Sequence, residues 1–176
     1  MDTYLRDLFL REIAHQCRFA SIGYNNLEHF LYHCMSDNNN DKIFFSLQSF
    51  LIASANISKI LWPRNVSPYK ERGEFLRNLL NINGSEPFKF TAPRNDLEHF
   101  DERLDNWYLK SELHNILDNS VGQDESFSGL DYMRYFNTQR FVFRFGDNEY
   151  EIKPIQEAIQ QLLLNVEAKL KKPISN

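Results

Sequence analysis

The chain has 176 residues, 42% of them hydrophobic and 15 of them Phe, with sparse Pro and Gly, which argues for one compact helix-rich domain and against a sandwich or a disordered chain. Its formal net charge of −4 excludes recruitment to nucleic acid by overall charge, so an RNA site has to be a local basic pocket. No continuous apolar run reaches the roughly 20 residues that span a bilayer, and Met1-Asp2-Thr3-Tyr4 lacks the layout of a signal peptide.

In chain order, Leu5, Leu8, Phe9, Ile13, Cys17 and Ala20 have the spacing of a helix with one buried face, from Tyr4 to about Ala20. Ser21-Ile22-Gly23 is an expected bend or break, after which Leu27, Phe30, Leu31 and Cys34 continue the pattern to Met35. The polar run from Ser36 to Asp41 reads as a loop. Lys42 to Trp62 is the most apolar stretch and predicts a central helix, closed by Pro63 and Pro68. Tyr69 to Leu80 predicts another amphipathic helix, and Asn81 to Pro93 a loop. A helix carrying Arg94 to Tyr108 then runs to about Leu117, and Asn119 to Gly129 is polar and turn-rich. Phe141, Phe143 and Phe145 alternate with Arg140, Val142 and Arg144 before Gly146-Asp147-Asn148, the pattern of a β-hairpin with arginines and glutamates paired on its solvent face. Met133 to Phe136 is a candidate third strand, and Pro154 opens a last helix with a stripe from Ile155 to Leu170. There is no internal repeat. The expected fold is mainly α, an up-down helical bundle with a small β-hairpin before the C-terminal helix, in a single domain over 1–176 in which 130–153 is an elaboration.

Cys17 and Cys34 sit in helical patterns without zinc or CxxC spacing, so they are expected to be reduced thiols of a cytoplasmic protein. Glu12 and His15 form one E-x-x-H pair and His29 and His33 lie four apart, but a carboxylate-bridged metal site needs a second E-x-x-H. No metal and no cofactor is expected. The aromatic hairpin residues, which in principle stack on bases, are expected to pack against helices instead.

The stretch richest in chemistry is Arg94-Asn95-Asp96-Leu97-Glu98-His99-Phe100-Asp101-Glu102-Arg103. A guanidinium is a permanent cation shaped to clasp phosphate, and an imidazole exchanges a proton near neutral pH. Leu97, Phe100, Leu104, Trp107 and Tyr108 are the expected buried face, which leaves His99 about 160° from Leu97 on a polar side shared with Asn95, Glu102, Arg103 and Asn106. Arg94 and His99 are about 140° apart on one ideal helix, so they meet only if Arg94 precedes the first turn or a second copy of the helix completes the set. By spacing alone, an Arg94–Glu98 ion pair and an Asn95–Glu98 capping box are the simpler readings.

Arg94-Asn95 followed by His99 after three more residues resembles the signature of the HEPN superfamily. Ala53-Ser54-Ala55-Asn56-Ile57-Ser58-Lys59-Ile60-Leu61-Trp62-Pro63 and Arg72-Gly73 also look like bacterial HEPN-like proteins, the likeness covering roughly residues 1–117. The resemblance implies a homodimeric, metal-independent endoribonuclease, often a toxin or part of phage defence and held in check by an antitoxin or other regulatory protein. It implies that His99 handles the proton of a ribose 2′-hydroxyl or of the leaving oxygen, that Arg94 stabilises charge on phosphorus, and that Asn95 holds the phosphate. Arg103, one turn beyond His99, is placed by helix geometry to add charge to the groove. Asp101 stands where toxins silenced by a nucleotidyltransferase carry tyrosine, a departure from that regulated group. The alternative is a non-catalytic HEPN-like module for dimerisation or for RNA or partner binding, in which Glu98 or Asp101 consumes Arg94.

Overall fold

A computed structural model describes residues 1–33, 39–123 and 129–171; Cys34 and residues 36–38 of the expected 36–41 loop lie outside them, and Asn39, Asn40 and Asp41 open a helix. The protein is mainly helical, 66% of it, with a small mixed sheet. Helices α1 (Thr3–His33), α2 (Asn39–Leu61), α3 (Tyr69–Leu80), α4 (Ala92–Glu98) and α5 (Phe100–Lys110) come first, with a 3-10 turn at Pro87–Lys89. Strands β1 (Ile116–Leu117), β2 (Ser120–Gly122), β3 (Asp131–Tyr132), β4 (Arg134–Asn137), β5 (Val142–Phe145) and β6 (Asn148–Glu151) follow, and α6 (Ile152–Lys171) closes the chain.

The expected break at Ser21-Ile22-Gly23 is absent: α1 is one helix of 31 residues. Cys17, Ala20, Tyr24 and Leu27 are buried in one continuous phase across Gly23. A Cβ at Gly23 would lie 2.8 Å from Phe50 N and 3.0 Å from Ser46 O, so the glycine lets the backbones of α1 and α2 touch. Gly73 plays the same part between α3 and the end of α2, where a Cβ would meet Pro63 Cδ at 2.5 Å. Asn81, at φ 55°, ends α3 in the left-handed region that asparagine tolerates.

Helix α2 buries residues on most of its circumference, among them Ile43, Leu47, Phe50, Leu51, Ala55, Ile57 and Leu61. By length and composition alone it is long and apolar enough to cross a membrane, but 61% of its most apolar window is buried inside the protein, as in a core helix. It packs on α1, α3, α4 and the 3-10 turn, as the central helix of a core does. Helix α6 lies along the other side of α1, tied by Arg18 to Glu167 at 2.7 Å and by Gln156 to Ser21 at 3.3 Å.

The predicted hairpin and its third strand are present, within a four-stranded sheet of order β2-β4-β5-β6. Phe143 opposes Phe136 on β4 and Tyr150 on β6, and Gly146 turns the hairpin at φ 55°. Arg140 pairs with Glu149, as expected for the solvent face. Phe136, Phe141 and Phe143 are fully buried, Phe141 against Tyr24 and Phe143 against Phe44, which removes them from any base-stacking role. Two further elements replace what the sequence suggested. The helix expected to reach Leu117 stops at Lys110, and Ile116–Leu117 instead pairs in parallel with β3. The stretch from Asn119 contains β2, parallel to β4 and held there by Asp118, whose carboxylate accepts from Arg134 Nε at 2.8 Å.

Candidate functional site

The Arg94–His99 stretch occupies two helices, not one. Backbone geometry departs from helical at His99 (φ −103°, ψ 34°), which ends α4 and precedes α5. Hydrogen bonds from His99 N to Asn95 O and from Arg103 N to His99 O, each 3.0 Å, keep the junction a kink. Apolar residues at helical spacing run straight through this kink, so their period gave no sign of it. The residue flanking α4 on its N-terminal side is Thr91, which makes no side-chain cap bond, so the Asn95–Glu98 capping box does not form. Arg94 therefore lies inside α4 and not ahead of its first turn.

Arg94 makes an ion pair with Glu98 and approaches Asn95 Oδ1 at 3.4 Å. Asn95 Nδ2 in turn reaches Thr91 Oγ1 at 3.4 Å. The His99 imidazole is 55% exposed, with Nδ1 3.5 Å from Glu102. Arg94 and Asn95 are thus neighbours, whereas Arg94 and His99 have different carboxylate partners. Arg103, its side chain 45% exposed, donates from Nε to Asp96 Oδ1 at 3.2 Å.

Asp96 is the residue that the sequence did not single out. It is only 4% exposed, and it also accepts from Tyr150 Oη at 2.6 Å and from Asn148 Nδ2 at 3.2 Å. One buried carboxylate thus fastens α4, α5 and β6 together, with Arg103 supplying the countercharge that burial demands. Burial, followed by the hydrogen bond to Asp96, raises the Tyr150 hydroxyl above its ordinary pKa. The partners lie 54 positions apart, beyond the reach of any local pattern.

Helix α5 is peripheral, which corrects its expected burial: none of its residues is fully buried, and Tyr108 is 62% exposed. Phe100 anchors it, edge-on to Phe145 and under the Arg134 guanidinium at 4.3 Å. Between α5 and the sheet lies a cavity of about 660 Å³ whose lining includes Arg103, Asn106, Trp107, Lys110, Asp131 and Arg144. Hydrogen bonds from the Ser111 hydroxyl at 2.6 Å and the Trp107 indole at 2.8 Å hold the Asp131 carboxyl below its usual range. His99 lies four residues ahead of Arg103, at the kink that precedes the stripe formed by Arg103, Asn106 and Lys110.

Glu12 and His15 are side by side on the exposed face of α1, Nδ1 to carboxylate 4.0 Å. Among the described residues no three His, Cys, Asp or Glu side chains gather as metal ligands do. Comparison with protein-family models, curated proteins and solved structures gave no match for this chain.

Proposed function

We propose that the protein is a HEPN-type, metal-independent endoribonuclease that works as a homodimer, with RNA cut at Arg94 and His99. The observation that carries the reading is the exposed His99 imidazole at the α4–α5 kink, which precedes the helix stripe in the basic lining of the cavity. In the reaction His99 takes the proton of a ribose 2′-hydroxyl, the oxygen attacks phosphorus, and the 5′-oxygen leaves as a hydroxyl with a proton from water, giving a 2′,3′-cyclic phosphate. Arg94 stabilises the added charge on the phosphoryl oxygens, with Asn95 beside it to orient the group. The Arg94 side chain is 20% exposed and that of Glu98 39%, so a phosphodiester has to replace Glu98 in a partly buried ion pair to reach the guanidinium. Pairing of two subunits would bring the Arg94 of one and the His99 of the other to a shared cleft. A toxin or phage-defence role, with a regulatory partner, fits such an activity.

A second reading, a non-catalytic HEPN-like dimerisation or binding module, is favoured by the same Arg94–Glu98 pair and by the acids Asp101, Glu102 and Asp105 on α5. Purified protein incubated with RNA in EDTA separates the two. The ribonuclease reading expects cleavage that Arg94→Ala abolishes without altering the circular dichroism spectrum. Intact RNA with wild-type dimer, or cleavage unchanged in Arg94→Ala, would favour the binding module.

A further inference from the structure

We infer that the cavity between α5 and the sheet is a strand-binding subsite, which takes an unpaired nucleotide and its phosphates from single-stranded RNA beside the bond to be cut. The inference rests on the ribonuclease reading for the position of that bond, but its own support is separate. Around α5, Arg103 and Lys110 lie about 140–180° from Asp101 and Asp105, so the helix turns its cations to the cavity and these acids away from it; Arg103 is already paired with Asp96 at 3.2 Å, so Lys110 carries most of the charge that α5 offers a phosphate. Arg144, whose Nε donates to Gly146 O at 2.7 Å and whose guanidinium lies over the Tyr132 ring, adds a third cation from β5. Against these cations the lining holds two carboxylates, Asp131, which accepts from Trp107 and Ser111, and Asp147 on the hairpin turn.

Arg103 and Lys110 are seven residues apart, about 10 Å along the helix. That separation suits successive phosphates of a strand better than one isolated phosphate. The volume of about 660 Å³ falls in the range of about 300–1,000 Å³ typical of small-ligand sites, enough for one nucleotide. A base enters such a site only when it is unpaired, and Trp107 offers it an aromatic surface while Asn106 and Asn148 offer amides. His99 lies at the kink that precedes this stripe, four residues ahead of Arg103, so a strand continuing past Arg103 reaches the imidazole with its next phosphate.

The test is fluorescence anisotropy with a labelled single-stranded RNA hexamer that carries 2′-fluoro in place of the 2′-hydroxyls needed for cleavage; no binding by wild type would overturn the subsite. Lys110→Glu should weaken binding about tenfold and lower the slope of log affinity against log salt by about one, with a smaller loss in Lys110→Gln. Lys59→Glu, exposed on α2, should bind as wild type. Bound strand should quench tryptophan emission in wild type and leave it unchanged in Trp107→Phe, where only Trp62 remains. Equal affinities for the Lys110 and Lys59 variants, or quenching that persists without Trp107, would overturn the subsite whatever the cleavage results. So would displacement of the hexamer by AMP at the same concentration as by unlabelled hexamer, since the site would then hold a free nucleotide. Cleavage that survives loss of Arg94 and His99 while Lys110→Glu still impairs binding would sink the ribonuclease reading and leave strand binding intact.

Discussion

Replacing Tyr150 with Phe removes a single oxygen from the cluster that fixes the candidate site. The ring keeps its packing on Phe143, with centroids 6.0 Å apart, so the substitution isolates the 2.6 Å hydrogen bond to Asp96. Hydrogen bonds to charged groups contribute about 1.5–3 kcal/mol, and the buried setting of Asp96 points to that whole range and not to the value for neutral pairs. For a chain of this length about 2–4 °C accompanies each kcal/mol, so the melting temperature should drop by about 3–12 °C. Urea unfolding of Tyr150→Phe, Asp96→Asn and the double variant gives the coupling directly, and the cycle should show about 1 kcal/mol or more. Additive single effects, or a Tyr150→Phe loss below about 0.5 kcal/mol, would show that Asp96 does not join α4 to β6 as described.

Gly23→Ala should destabilise by about 1–3 kcal/mol or more, because the new methyl meets backbone atoms of α2 that cannot swing aside. Gly84→Ala, with only Lys89 Nζ at 3.8 Å, is the control, and equal urea midpoints for the two variants would refute the close helix contact. Burial pushes the Cys17 thiol up to about 12, so iodoacetamide under native conditions should leave Cys17 unmodified in peptide mass spectra and label it in urea; native labelling would contradict its burial. Cys17, Tyr24 and Tyr150 all have pKa values raised in the fold, chiefly by burial. Groups of this kind favour the folded state below their unfolded values, 9.0 for the thiol and 10.0 for tyrosine, and lose that contribution as pH rises through their folded values. Urea midpoints should therefore hold up to about pH 9 and fall towards pH 12, and a flat or rising profile would contradict this.

Where a single periodic face decided the structure, the sequence was informative. The apolar spacing of Tyr69–Leu80 matches α3 end to end, and the alternation around Phe143 marks β5 against β6. Helix α6 begins at Ile152, two residues before the proline that marks it, since its fixed φ suits a first turn. Tertiary contact overrode local signals elsewhere. Gly23 reads as a breaker but is a packing contact, because the neighbouring helix needs the space of its missing side chain. Strands β1 and β2 are too short to show a period, and they exist because β3 and β4 lie alongside. In the candidate site, Arg94, Asn95, His99 and Arg103 were visible as residue types. Their partners divide into local ones the spacing anticipated, Glu98 for Arg94, and the distant group at Asp96 that it did not.

The account's central claim is that an imidazole at the α4–α5 kink moves the proton in RNA cleavage. The direct measurement is the single-turnover cleavage rate of His99→Ala in EDTA, with and without added free imidazole. The account predicts a loss of at least about 100-fold, as for removal of a general base, and partial recovery when imidazole is supplied. A variant that cuts RNA at the wild-type rate would contradict it.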